Sequence, residues 1–122
     1  MYEAILQMKI ARSLSSAAFL AVAALGSAAA TPALADDNIE LVLKDHKFTP
    51  DRVEVHQGVK IVITVKNQDS SADEFDSRDL KREKVIPGGK EGVVLVGPLA
   101  AGEYHFQGEY HANTAQGVLV VK

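Results

Sequence analysis

The last two thirds of the sequence predict an all-β domain, a Greek-key sandwich of short strands. Segments there alternate apolar and polar residues, Val and Ile are frequent within them, and Gly or Pro separates one segment from the next. Alternation with a period of two is typical of strands that bury one face, and β-branched side chains favour strands. About six to eight such strands in one small domain indicate two packed sheets.

Each predicted strand depends on its own pattern. Residues 39–48 alternate apolar and polar side chains up to a Phe-Thr-Pro sequence, and residues 53–55 continue with the same period before a glycine. Residues 59–65 are dense in Val and Ile, which indicates a more deeply buried strand. Three later strands are bounded by glycine or by a Gly-Pro pair, at residues 93–96, 103–106 and 117–121.

A charged stretch between Asn67 and Gly89 interrupts this pattern. It is rich in acidic and basic residues and has few large apolar ones. We expect a short strand around Phe75, an irregular or one-turn helical connection after it, and a turn at residues 87–89. Loops that a rigid sandwich positions commonly carry binding residues, so a site is expected here.

Residues 1–35 have the organisation of a secretory signal peptide. Lys9 and Arg12 precede an apolar run, and small residues end at Ala35 just before two acidic residues. This order predicts cleavage after Ala35 and export to the periplasm. A retained membrane anchor is the alternative, but a spanning helix needs about 20 apolar residues and basic ones would be expected after it. Met8 is an alternative start of the natural chain.

The predicted mature domain spans residues 36–122. The whole chain has a net charge of −3, no cysteine and no basic cluster, which argues against nucleic acid as a partner. It also lacks a glycine-framed serine and the spacing of a phosphate-binding loop. The sequence therefore does not indicate a hydrolase.

The mature sequence resembles the cupredoxins over nearly its whole length. The resemblance is carried by residues 48–58, by the closing run 102–106 and by His111 ahead of the last strand. Copper-carrying members have Phe-x-Cys-x-x-His in this run, whereas Gly108 stands here at the cysteine position. The methionine position falls among residues 113–115, none of which is methionine. Blue copper needs a thiolate, so the resemblance implies a cupredoxin-like fold without a type-1 centre.

A narrower resemblance concerns iron uptake. Residues 74–77, 80–88, 96–99 and 102–104 look like the cupredoxin-like periplasmic components of bacterial iron uptake systems of the Ftr type. They are similar, more loosely, to the cupredoxin domain of EfeO. The resemblance implies periplasmic handling of iron, including copper-assisted oxidation of ferrous iron, together with periplasmic or inner-membrane transport components.

The predicted metal ligands are Glu74, His111, Glu83 and Asp76. The resemblance implies that Glu74 replaces a histidine ligand and that His111 is retained, while Glu83 and Asp76 are expected to assist. Carboxylates and imidazole suit iron, manganese, zinc or cupric copper, so we expect iron and/or copper. Two nearby acids, Asp73 and Glu109, are weaker candidates, and His46, His56 and His105 are not expected in this site.

Three functions follow as hypotheses. The first is a periplasmic metal-binding protein of iron uptake, acting in oxidation of ferrous iron or in transfer to a permease. The second is a metal-free adaptor that docks a membrane transport complex. The third is a periplasmic copper carrier that uses carboxylate and histidine ligands.

Overall fold

The computed structural model describes residues 34–122 and Gly26. The predicted signal peptide therefore lies outside the described residues, apart from Gly26, Leu34 and Ala35. Nine strands lie within the described part: β1 (Asp37–Lys44), β2 (Lys47–Thr49), β3 (Arg52–Val55), β4 (Ile61–Asn67), β5 (Asp73–Ser77), β6 (Arg82–Ile86), β7 (Glu91–Val96), β8 (Gly102–Gly108) and β9 (Gln116–Val121). A 3₁₀ turn at Glu109–His111 separates β8 from β9. Over this same part of the chain, we find no helix with the length and hydrophobicity to span a bilayer.

The strands form two mixed sheets that pack face to face. The first sheet has the order β2-β1-β4-β7, with β1 and β4 parallel. The second has the order β3-β9-β8-β5-β6, with β3 and β9 parallel and its other neighbours antiparallel. The predicted all-β sandwich is confirmed, and the parallel pairs result from chain crossings between the sheets.

The core follows the predicted alternation. In β4 every second side chain from Ile61 to Asn67 is buried, and three phenylalanines meet in the centre. The rings of Phe48 and Phe106 lie 5.1 Å apart edge to face, and those of Phe75 and Phe106 stack at 5.3 Å. Burying one large apolar side chain stabilises a domain by roughly 1.5–3 kcal/mol, so this cluster holds the sheets together.

The charged stretch differs in part from expectation. The short strand around Phe75 is present as β5, but β6 occupies residues expected to be irregular or helical. Within residues 34–122, β6 pairs with β5 alone, and all its residues except Ile86 are exposed. An edge strand of this kind has no apolar face to reveal it in the sequence, and its charges protect the open edge.

A two-residue turn joins β1 to β2. Asp45 and His46 have φ angles of 51° and 57°, between the paired residues Lys44 and Lys47. Positive φ at both central positions is the type I′ turn that matches the twist of a hairpin. Aspartate and histidine are among the non-glycine residues enriched at positive φ, so the sequence of this turn suits its conformation.

Candidate metal centre

The loop between β4 and β5 is organised by the buried side chain of Asn67. Its Nδ2 donates to the carbonyl oxygens of Ser71 at 2.9 Å and Ile86 at 3.1 Å, and its Oδ1 accepts from the N–H of Asp69 at 3.0 Å. Three hydrogen bonds from one buried amide fix the path of the loop. The loop thereby presents two carboxylates, Asp69 and Asp73, at one end of the sandwich.

Asp73 is buried and lies against His111. Its Oδ1 accepts from the N–H groups of Glu74 at 2.8 Å and Tyr110 at 3.0 Å, and its Oδ2 lies 2.9 Å from Nδ1 of His111. A carboxylate that accepts from Nδ1 fixes the tautomer and orientation of the ring, as it does for metal-binding histidines. The lone pair of His111 is therefore on Nε2, the ligand atom that a cation would meet.

Asp69 holds the β1–β2 turn over His111. Its carboxylate accepts from the N–H groups of Asp45 at 2.7 Å and His46 at 3.0 Å. The imidazole of His46 stacks on that of His111, with ring centroids 3.6 Å apart and planes inclined by 12°. Nδ1 of His46 is buried and lies 3.4 Å from Oδ2 of Asp69, but the contact does not have hydrogen-bond geometry.

The charges around Asp69 act in opposite directions on its pKa. Burial alone would raise the pKa of this carboxyl, but the N–H groups of His46 and Asp45 lower it, and so do the imidazoles of His46 and His111. The net effect holds the pKa of Asp69 below its ordinary value of 3.8. Asp69 is therefore ionised at neutral pH beside the imidazole of His46.

A type-1 copper centre does not fit this end of the sandwich. The chain has no cysteine, and Gly108 occupies the corresponding position. A Cβ added to Gly108 would lie 2.6 Å from Oδ2 of Asp73 and 2.8 Å from Cβ of Ala115. The space that a cysteine side chain would need is therefore taken by the carboxylate that orients His111.

The predicted acidic ligands lie on another face. In β5 the side chains of Asp73, Phe75 and Ser77 are buried, so Glu74 and Asp76 point outward. Asp76 is directly opposite Glu83 on β6 and accepts at 3.2 Å from Nε2 of Gln107 on β8. The structure thus brings together Glu74, Asp76 and Glu83.

His111, the fourth predicted ligand, meets a different acid. The acid in contact with His111 is Asp73. The resemblance predicts Glu74 in this place. Neighbouring residues of a strand point to opposite faces, so a shift of one residue moves the partner acid from the outer face to the inner one. It remains a prediction that Glu74, Asp76, Glu83 and His111 together bind one metal ion.

The outer carboxylates crowd one another. Partial burial, followed by a hydrogen bond to Glu109 and by the charges of Glu109, Glu83 and Asp76, raises the pKa of Glu74 above its ordinary value of 4.5. Between residues 34 and 122, no three His, Asp or Glu side chains are already arranged to hold a metal ion. Binding by these acids therefore requires side-chain rotation.

The sequence did not predict that His46 and Asp69 lie at the same end of the sandwich as His111. The available signal was positional, because His46 follows β1 and Asp69 follows β4, and these strands are parallel neighbours. Parallel neighbours end at the same edge of a sheet, so polar residues that follow them meet there. The pairing of β1 with β4 had to be known before this signal could be used.

Comparison with known proteins identifies the class. The model of the cupredoxin-like domain family matches residues 16–121, and the chain belongs to that family. A relative in Rickettsia prowazekii (strain Madrid E), an uncharacterized protein, is 39% identical over 93 residues, which cover 74% of each chain.

Solved structures with this fold include copper proteins. A copper binding protein solved in its apo form has a TM-score of 0.64 and 24% identity, covering 74% of this chain and 91% of its own. Auracyanin A, a blue copper protein of Chloroflexus aurantiacus, has a TM-score of 0.63 and 18% identity, covering 72% and 100%. The metal binding domain of a Streptococcus pneumoniae Cu(I) exporting ATPase has a TM-score of 0.62 and 16% identity, covering 74% and 91%. At these identities the likeness shows the cupredoxin fold.

Proposed function

We propose that the protein is a periplasmic metal-binding component of an iron uptake system, which binds iron and/or copper through carboxylate and histidine ligands. The observation that carries the proposal is the group of carboxylates on the outer face of β5 and β6. Asp76 and Glu83 face each other directly across the two strands, and Glu74 lies on the same outer face of β5 as Asp76. Like charges opposite each other destabilise a sheet, so a bound cation would relieve their repulsion.

The chemistry of these ligands favours hard cations. Carboxylate oxygens suit iron better than they suit monovalent copper, and their negative charge favours ferric over ferrous iron. By stabilising the ferric state, such a face would favour the loss of one electron from ferrous iron to an external oxidant such as dioxygen, and it would hold the ferric ion for transfer to a permease. The resemblance to Ftr-type components supports iron as cargo, and the family relationship supports metal binding in general.

The test is a titration of the purified protein with ferrous iron under anaerobic conditions and, separately, with cupric ion. We expect Glu74→Gln to weaken the binding of ferrous iron, and His111→Ala to weaken the binding of cupric ion, each by about tenfold or more. Glu103→Gln is the matched control, because this exposed acid lies 3.3 Å from Arg52 on another part of the surface. Unchanged affinities in both site variants would refute the proposal.

A second candidate, a metal-free docking module, is favoured by exposed apolar side chains. Val93 and Leu95 alternate on the outer face of the edge strand β7, and Val85 on β6 is also exposed. Such residues on a sheet edge are typical of protein contacts. A purified protein that binds neither iron nor copper, yet co-purifies with a membrane protein through Val93 and Leu95, would support this function instead.

A further inference from the structure

We infer that His46 and His111 form a second cation site, an imidazole pair at the end of the sandwich, which binds a borderline divalent ion such as Cu²⁺. This site is distinct from the outer carboxylate face, because Asp73 and Glu74 point to opposite sides of β5. The inference deepens the proposed function and depends on it in one respect, namely that the domain binds metal ions.

Each ring has its Nδ1 near a carboxylate, but only one of the two contacts is a hydrogen bond. Nδ1 of His111 lies 2.9 Å from Oδ2 of Asp73, which places the proton of the neutral ring on Nδ1 and leaves the lone pair on Nε2. A carboxylate on the second nitrogen is the arrangement that orients a ligand histidine in metal proteins. Nδ1 of His46 is buried 3.4 Å from Oδ2 of Asp69 without a hydrogen-bond partner among the described residues, so either nitrogen of this ring can carry the lone pair.

The stacked rings must open to hold one ion. Their centroids are 3.6 Å apart and their planes nearly parallel, whereas a metal lies in the plane of each imidazole at about 2.0–2.1 Å from nitrogen. The side chain of His46 is 43% exposed and lies on a turn, so it can swing outward about its side-chain torsions. His111 stays fixed by Asp73, and water would complete the coordination.

The turn itself determines where the imidazole of His46 lies. His46 has a φ of 57°, a conformation in which asparagine, aspartate and histidine are enriched among non-glycine residues, so the turn accommodates this residue. The carboxylate of Asp69 holds both turn N–H groups and thereby keeps the ring above His111.

The donor set selects among metals. Two neutral imidazoles beside carboxylates bind first-row divalent ions in the order that peaks at Cu²⁺, and two nitrogens with open positions suit its square-planar preference. Mg²⁺ and Ca²⁺ prefer oxygen ligands and should bind weakly. Cu²⁺ is therefore the probe.

The experiment is a Cu²⁺ titration of the purified protein, followed by electron paramagnetic resonance. We expect hyperfine coupling to two nitrogens in the natural sequence and to one in both His46→Asn and His111→Ala, with affinity reduced about tenfold or more. Asparagine tolerates the positive φ at position 46, so the turn should stay folded, which circular dichroism checks. His56→Asn is the matched control, since His56 is another aspartate-paired histidine far along the surface.

Two outcomes would overturn the inference. If His46→Asn keeps the affinity and the two-nitrogen signal, His46 is not a ligand, while the proposed metal-binding function stands. If the natural sequence binds no Cu²⁺, the imidazole pair is not a site, and the ferrous iron titration of Glu74→Gln then decides separately whether the carboxylate face binds metal.

Discussion

Two histidine–aspartate pairs lie at opposite ends of β1. They have the same chemical groups, but they differ in burial and in the other hydrogen bonds that each carboxylate accepts. At one end the side chains of Asp73 and His111 are 3% and 27% exposed, with Oδ2 and Nδ1 2.9 Å apart. At the other end those of Asp37 and His56 are 22% and 79% exposed, with Oδ2 and Nδ1 3.1 Å apart. Distance alone does not distinguish a positioning pair from a surface contact.

The difference is in what else each carboxylate accepts. Asp73 receives N–H groups from β5 and from the 3₁₀ turn, so it joins two chain segments in addition to orienting His111. Among the described residues, Asp37 accepts from the backbone and ring of His56 alone, and it connects the start of β1 to the end of β3. Burial and multiple donors make the first pair part of the framework, whereas water can replace much of the second.

The largest expected effect follows removal of the buried carboxylate. Asp73→Ala leaves two N–H groups and one imidazole without their acceptor, and we expect the free energy of unfolding to fall by about 2–4 kcal/mol. Asp37→Ala is the comparison and should cost clearly less. Urea denaturation of both variants measures the difference, and equal losses would contradict the distinction between the pairs.

A smaller effect is expected when the space beside Asp73 is filled. Gly108→Ala places a methyl group 2.6 Å from Oδ2 of Asp73 and 2.8 Å from Cβ of Ala115. We expect a loss of about 1–3 kcal/mol and altered amide chemical shifts at Tyr110 and His111. The double variant Gly108→Ala with Ala115→Gly removes one of the two collisions and should recover part of the loss. No loss in the single variant would mean that Asp73 can move freely.

The smallest effect concerns the exposed pair and depends on pH. The N–H of His56, against some opposing desolvation, and the imidazole of His56 hold the pKa of Asp37 below its ordinary value of 3.8. As the pH falls, Asp37 is therefore protonated in the unfolded chain before it is protonated in the folded protein. The stabilisation is complete above the pKa of the unfolded chain and is lost as the pH falls through the lower pKa of the folded protein. Melting temperatures of the natural sequence and Asp37→Asn should differ slightly at neutral pH and converge in acid. A difference in melting temperature that grows as the pH falls would contradict this prediction.

Much of the fold could be predicted because it depends on local patterns. The sequence predicts the alternation in β4, the strand around Phe75 and the burial of Phe48 and Phe106. β6 was not predicted, since an exposed edge strand carries no apolar period. Its assignment required the partner strand β5.

The site was less predictable than the fold because it depends on pairing and register. Glu74, Asp76 and Glu83 share the outer face of β5 and β6, and their role as metal ligands stays a prediction. The acid beside His111 was misplaced by one residue, which in a strand reverses the direction of the side chain. His46 and Asp69 required the parallel pairing of β1 and β4, which no local pattern encodes.

The imidazole pair also has a consequence for folding. His46 reaches Asp69 across 23 positions of the sequence, and His111 reaches Asp73 across 38. Such non-local contacts form only after the strands on both sheets have paired, and pairing of this kind is slow. An ion that needs both rings would therefore recognise only the completed sandwich, and its binding would add to the stability of that state by mass action. Binding of the ion would thus indicate that the domain has folded completely.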